Sequence, residues 1–284
     1  VLMFDAVNQL FNQQEIDSNL RNIILPTNVA LIISSTYDLV IYKPAWMIQA
    51  LEKPSIPVRM DIIQMYFKNY RKLLEPSHVE KLTNHTSTSN PLYLKVVLEQ
   101  LRQRATRGTI STEIDGLLNY NNLIQLFKAL ICDLNEDHST QSNPNIVLKA
   151  ASYLAVSRKG LTEKQLSLLL SQESGVPIPQ IQLSKILASL RPYLLRDNDH
   201  EMLMHKAMQT AALELIPEKE ARDRLIQYCL TDVNLEKTEN FIERLFQYSM
   251  LIKNKIDQNH SKNNIIIELS NPVTVEKTLL IDRD

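Results

Sequence analysis

Val1-Leu2-Met3-Phe4-Asp5-Ala6-Val7-Asn8-Gln9-Leu10 sets one carboxylate at the end of four consecutive apolar residues. An apolar run without alternation is what a strand buried on both faces of a parallel sheet requires, because helices cover both sides of such sheets. An acid at the carboxyl end of that strand stands where open α/β sheets receive ligands. Asp5 is equally suited to capping the turn that follows, so its reading depends on the rest of the chain.

Outward from this strand lies a polar segment, Asn12 to Asn22, and then Ile23-Ile24-Leu25-Pro26-Thr27-Asn28-Val29-Ala30-Leu31-Ile32-Ile33-Ser34-Ser35-Thr36. The Pro-Thr-Asn turn leads into a second fully apolar strand that ends in hydroxyls. The connection is too long for a hairpin and long enough for a short helix, so the two strands are expected to pair in parallel as one βαβ unit. Ser35 and Thr36 would then stand beside Asp5.

The chain has 284 residues, 22% of them charged, and a formal net charge of -1. That length suits two or three domains, and the balanced charge supplies no global field to recruit nucleic acid or anionic lipid. Cys132 and Cys229 lie far apart in apolar helical patterns, which argues for reduced thiols and a cytoplasmic protein. No apolar run approaches the roughly 20 residues of a membrane span, and the N-terminus lacks the marks of a signal peptide. A chain that begins with neither Met nor lead-in is expected to be a fragment of a longer polypeptide.

From Ser55 the apolar period becomes helical. Arg59 to Leu74 carries an i, i+3, i+4 stripe stopped by Glu75-Pro76, and Ser77-His78-Val79-Glu80 matches a capping box for the next helix. Arg59 and His78 are expected at the surface or at helix ends. Pro91 sits just inside a third helix with Leu92, Leu94, Val97, Leu98 and Leu101, and Ile114–Leu118 and Asn122–Leu134 complete a small bundle. Past the polar linker 135–143, helices are expected over 146–157, 166–170 and 179–190, with Thr162 and Gln165 forming a capping box. Tyr193 to His205 reads as a hairpin around an Asp/Asn turn, and three helices followed by a β-ribbon describe a winged helix. Helices over 208–215, 221–230 and 239–252 follow, and 265–269 with 273–281 reads as a strand pair.

The order of these parts, and five local words within them, resemble the second half of the nucleotide-binding module of STAND ATPases, the NACHT and NB-ARC relatives of AAA+ P-loop proteins. The words are Val1 to Asp5 as the Walker B strand, Asn28 to Thr36 as the sensor-1 strand, and Asn90-Pro91-Leu92 opening the second lid helix. Gly160-Leu161-Thr162 in the winged helix and Met204-His205 after the wing complete the set. The similarity spans roughly residues 1 to 235 and is nearest to large NACHT proteins carrying tetratricopeptide or WD repeats. It implies a mainly α chain. Residues 1–53 would be the C-terminal part of a P-loop α/β core, 54–143 a helical lid, 144–235 a winged helix, and 236–284 a connection into a following module. It further implies that Asp5 holds Mg²⁺, that Ser35 or Thr36 is the sensor-1 group, and that Pro91 packs on adenine. His205 would reach the ADP β-phosphate.

Two departures temper the activity implied. Where the family often places acids shortly after the Walker B Asp, this chain has Asn8 and Gln9, and an amide cannot take a proton from water near neutral pH. Lys206 stands where the histidine's acidic neighbour is usual. Gly108, Gly116, Gly160 and Gly175 are the only glycines and none has P-loop spacing, so phosphate-cradling amides must come from upstream. The expected function is an ATP/ADP-dependent signalling or assembly switch with slow or negligible hydrolysis. Its partners would be nucleotide, and proteins reached through regions outside this chain. The alternatives are a non-catalytic scaffold and a winged-helix adaptor for protein or nucleic acid. Nucleic acid is disfavoured, because Lys185, Arg191 and Arg196 are few cations for a phosphate-tracking surface.

Overall fold

The structure is a computed structural model. It describes residues 1–4, 24, 26–34, 49–106, 108–231, 237–253, 261–262 and 264–265. The chain divides into two units, Val1–Glu52 and Lys53–Asp284. Helices dominate the second; the described strands form one pair in the first and a small sheet in the second.

In the first unit β1 (Leu2–Phe4) and β2 (Leu31–Ile33) pair in parallel, Leu2 with Leu31 and Phe4 with Ile33. Parallel pairing is what the long connection demands. The described residues do not supply the two-sided burial expected of these strands: Leu2 and Ile32 are half-exposed and Met3 is 74% exposed. Two strands cannot cover their own faces.

The second unit opens with α1 (Ile56–Asn69), α2 (Pro76–Asn84), α3 (Pro91–Arg104), α4 (Ile110–Leu118) and α5 (Leu123–His138). α1 stops short of Leu74 because Arg71 turns left-handed, at φ 53°. The capping box expected at Ser77 does not form. Pro76 takes the first helical position behind Glu75, where its missing N–H costs nothing. Asn90 caps α3 instead, its Oδ1 accepting from the amides of Leu92 and Tyr93 at 2.9 and 3.2 Å.

Arg59 and His78, expected at the surface or at helix ends, stand in the first turns of α1 and α2 but are buried. The Arg59 guanidinium donates to the His85 carbonyl and to Thr88 Oγ1, both at 3.0 Å, so it lies at the carboxyl end of α2 where carbonyl dipoles offset its charge. His78 Nε2 meets Ser111 Oγ at 2.9 Å.

α6 (Ile146–Val156), β3 (Leu161–Thr162), α7 (Glu163–Ser174) and α8 (Gln180–Leu190) follow, then β4 (Leu194–Asp197) and β5 (His200–Leu203). The sheet is antiparallel with order β3-β5-β4. The Thr162–Gln165 capping box forms as expected. Gly160 makes the sheet possible: at φ +83° it brings β3 against β5 so closely that a Cβ would lie 2.5 Å from the Glu201 carbonyl oxygen.

After the sheet come α9 (Lys206–Leu215), α10 (Glu218–Thr231) and α11 (Lys237–Lys253). Ala150 and Ala151 on α6 and Ala211 and Ala212 on α9 are fully buried, small residues that let these neighbours approach closely. One apolar core runs from Ile63 on α1 to Cys229 on α10, with residues on both sides of position 143 in it. Ile226, Tyr248 and Leu251 make a smaller cluster where α10 meets α11. Residues 264 and 265 are helical, so no strand begins at Ile265; the rest of that expected strand pair lies outside the described residues.

Candidate functional site

Of the site residues read from the sequence, Asp5, Ser35 and Thr36 lie outside the described residues. The register that pairs Phe4 with Ile33 ends both strands at one end of the pair, immediately before Asp5 and Ser34. Pro91 and His205 belong to the second unit. Each stands at a helix start: Pro91 at the first position of α3, His205 as the N-cap of α9.

A shallow cleft lies between these two helix starts. Leu92, Lys95, Val96 and Glu99 of α3 form one wall, and Pro192, Met204, His205 and Met208 another. Phe127 and Tyr193 meet edge to face at its base, ring centroids 5.8 Å apart. Leu92 and His205 therefore share a cavity, while Pro91 stands outside its lining. Its enclosed volume is about 10 Å³, room for about one water, so a ligand would rest at the mouth and not inside.

The His205 ring is fixed by its neighbour: Nδ1 accepts the Ala207 amide at 3.1 Å. An acceptor at Nδ1 requires the tautomer protonated at Nε2, leaving that N–H to donate outward. Partial burial at the cleft mouth lowers its pKa, so the neutral ring persists at neutral pH. Lys95 stands exposed on the rim one turn beyond Pro91, and the Lys206 ammonium group follows the cap. Lys95 was not among the residues read from the sequence, although its i+4 spacing from Pro91 carries the signal.

Glu99 does not oppose an anion as strongly as its charge suggests. Burial works against its ionisation, but hydrogen bonds from Arg102, Tyr66 and Gln103 outweigh that and hold its pKa below the usual carboxylate range. Arg102 neutralises it, and the Arg102 guanidinium also lies over the Tyr70 ring, 4.7 Å from its centroid. The rim thus offers the Lys95 ammonium group, which has no ion pair among the described residues, and one outward N–H, over an apolar floor. Such a set suits an anionic group attached to a flat or apolar body. Among the described residues no group of three or more His, Cys, Asp or Glu side chains could hold a metal ion.

The cations expected on a nucleic-acid face are largely engaged. Arg191 pairs with Glu201 at 2.6 Å, and Arg196 lies 3.6 Å from Asp199 and 3.9 Å from Glu201. At the start of α8 a carboxylate intrudes: Glu163 accepts from Gln180 Nε2 and Ser184 Oγ at 2.7 and 2.9 Å. Cys132 and Cys229 are free thiols, and burial pushes the Cys132 thiol up, away from the reactive thiolate. No described helix is long and apolar enough to cross a membrane.

No family model matches the chain, and no solved structure matches it. Among curated proteins it is similar to a TPR repeat-containing protein of Dictyostelium discoideum, 24% identical over 184 residues. That match covers 62% of this chain and 11% of the relative, so the chain spans only a small part of a much longer protein's length.

Proposed function

We propose that this chain is the lid and winged-helix part of a STAND-type nucleotide switch, preceded by the end of its α/β core. The observation that carries this reading is the shared cleft. Two words of the resemblance, Asn90-Pro91-Leu92 and Met204-His205, are more than a hundred residues apart in sequence, yet Leu92 and His205 line one cavity. In this reading residues 56–138 are the lid, and α6, β3, α7, α8, β4 and β5 are the winged helix. Their order, with a three-stranded antiparallel sheet β3-β5-β4, supports that name.

Nucleotide enters as a ligand that bridges the two parts rather than as a substrate turned over quickly. His205 Nε2–H and the Lys95 ammonium group are the donors that would meet phosphate oxygens, and the half-buried Leu92 offers an apolar surface for the base. Asp5, Ser35 and Thr36 would serve Mg²⁺ and the terminal phosphate, together with an upstream P-loop. Asn8 and Gln9 make hydrolysis slow in this reading, since neither side chain can act as general base. Partners would be proteins engaged outside this chain.

The resemblance to a segment of a TPR repeat-containing protein supports a second reading: a helical scaffold beside partner-binding repeats, with no nucleotide. Hydrogen exchange on a polypeptide extended upstream, with and without ADP and Mg²⁺, separates the two. Protection at the amides of Leu92, Tyr93 and Ala207 supports the switch; unchanged exchange there supports the scaffold.

A further inference from the structure

α1 and α2 line a second groove, of about 500 Å³, that the nucleotide reading does not use. Ile63, Phe67 and Val79 form its buried floor. Met65 and Leu73 stand at its mouth, 65% and 93% exposed. Ile56, Val58 and Ile62 extend the exposed apolar surface along α1. α1 buries little more than the stripe Arg59, Ile63 and Phe67, so its remaining faces lack cover among the described residues.

One end of this groove is basic. Lys68 and Lys72 line it, Arg71 stands between them in sequence, the five residues 68–72 contain no acid, and Asp61 is the one carboxylate in the lining. Neither Lys68 nor Arg71 has an ion pair among the described residues. Lys72 is anchored, its Nζ donating to the Arg102 carbonyl at 3.1 Å. The left-handed turn at Arg71 holds the basic end in place. An arriving carboxylate would therefore meet cations already positioned, without first breaking an ion pair.

We infer that the α1–α2 groove docks an amphipathic, acidic-flanked helix of a partner protein. A helix fits better than an extended strand because the groove lies between two helices and presents no free sheet edge. Methionine at the mouth, with its unbranched and adaptable side chain, suits the repacking that such docking needs. Exposed apolar patches of this kind mark interaction sites rather than free surface. The inference goes beyond the nucleotide reading and does not depend on it.

The test uses the 284-residue chain and a fluorescein-labelled helical peptide of about four turns. The peptide carries leucines on one face flanked by glutamates; a control has lysine in place of each glutamate. The expected result is tighter binding of the glutamate peptide by about ten-fold or more, with the gap narrowing as salt rises. Met65→Glu and Leu73→Glu, both exposed and so compatible with folding, should each abolish binding, and Lys68→Glu with Arg71→Glu should invert the preference. Equal affinity for both peptides, or indifference to Met65→Glu, overturns the inference. So does a photo-crosslinking residue at position 65 that captures residues 1–52 or a second copy of the chain, since the face then has another occupant.

Discussion

The Gln100 side-chain amide on α3 donates to the Tyr193 hydroxyl at 2.9 Å, a buried hydrogen bond across 93 residues of sequence. It ties the helical bundle to the segment that leads into β4, directly behind the cleft. Burial pushes the Tyr193 phenol up to about 12, so the hydroxyl stays neutral across the physiological range. Lys128 with Glu214, and His138 with Ser189, add polar ties between α5 and the segments after residue 143. The bundle and the region around the small sheet thus lie in one compact unit with a shared core.

Tyr193→Phe removes the acceptor and leaves the buried Gln100 amide unsatisfied. The expected cost is about 1–3 kcal/mol in denaturant unfolding. Because the core is continuous across position 143, residues 56–231 should still unfold in one transition. Two separate transitions in the wild-type chain, one reporting on Phe127 and one on β5, would show that the core is not cooperative.

Gly160→Ala puts a Cβ against the Glu201 carbonyl and forces a left-handed conformation on a residue that resists it. The expected loss is about 1–3 kcal/mol, read from the urea midpoint. Gly108→Ala, which meets nothing within 4 Å, is the matched control and should leave the midpoint nearly unchanged.

His205 makes the start of α9 sensitive to acid. Its pKa is lowered in the folded chain, so between that value and about 6.5 the unfolded state binds more protons. The cap's contribution is therefore complete above about 6.5 and is lost as pH falls through the lowered value, when a proton on Nδ1 displaces the Ala207 amide. Amide exchange at Ala207 should accelerate below that range. In His205→Asn, which caps without titrating, the acceleration should disappear.

Arg59→Met keeps most of the side chain's length and removes its charge. The His85 carbonyl and Thr88 hydroxyl lose a charged donor, so stability should fall by about 1.5–3 kcal/mol, read in thermal or urea unfolding. The loop from His85 to Asn90, which sets the entry to α3, should lose exchange protection first.

The parts legible in the sequence were those set by local rules. Apolar periodicity located the helices, Thr162 with Gln165 marked a cap that forms, and a long link between apolar strands implied the parallel pair. The helix-end placement of Arg59 and His78 was legible, but their burial was not, because it comes with partners 26 to 33 positions away, which no local window weighs. At Ser77 two local rules competed, and Pro76 prevailed by fixing the first helical position. Pro91 was found as a helix-start residue and His205 as the end of the hairpin, but only folding shows that His205 caps α9 and that Leu92 and Lys95 face the cleft with it while Pro91 does not line it.

The most direct measurement is the nucleotide carried by a polypeptide that extends this chain upstream. The protein would be purified, denatured, and its released nucleotide quantified by chromatography. The expected result is about one ADP or ATP per chain, falling at least ten-fold in His205→Ala with Lys95→Ala while the fold persists. Protein that folds without nucleotide, or that keeps its full complement after both substitutions, would contradict the assignment of this cleft to a nucleotide.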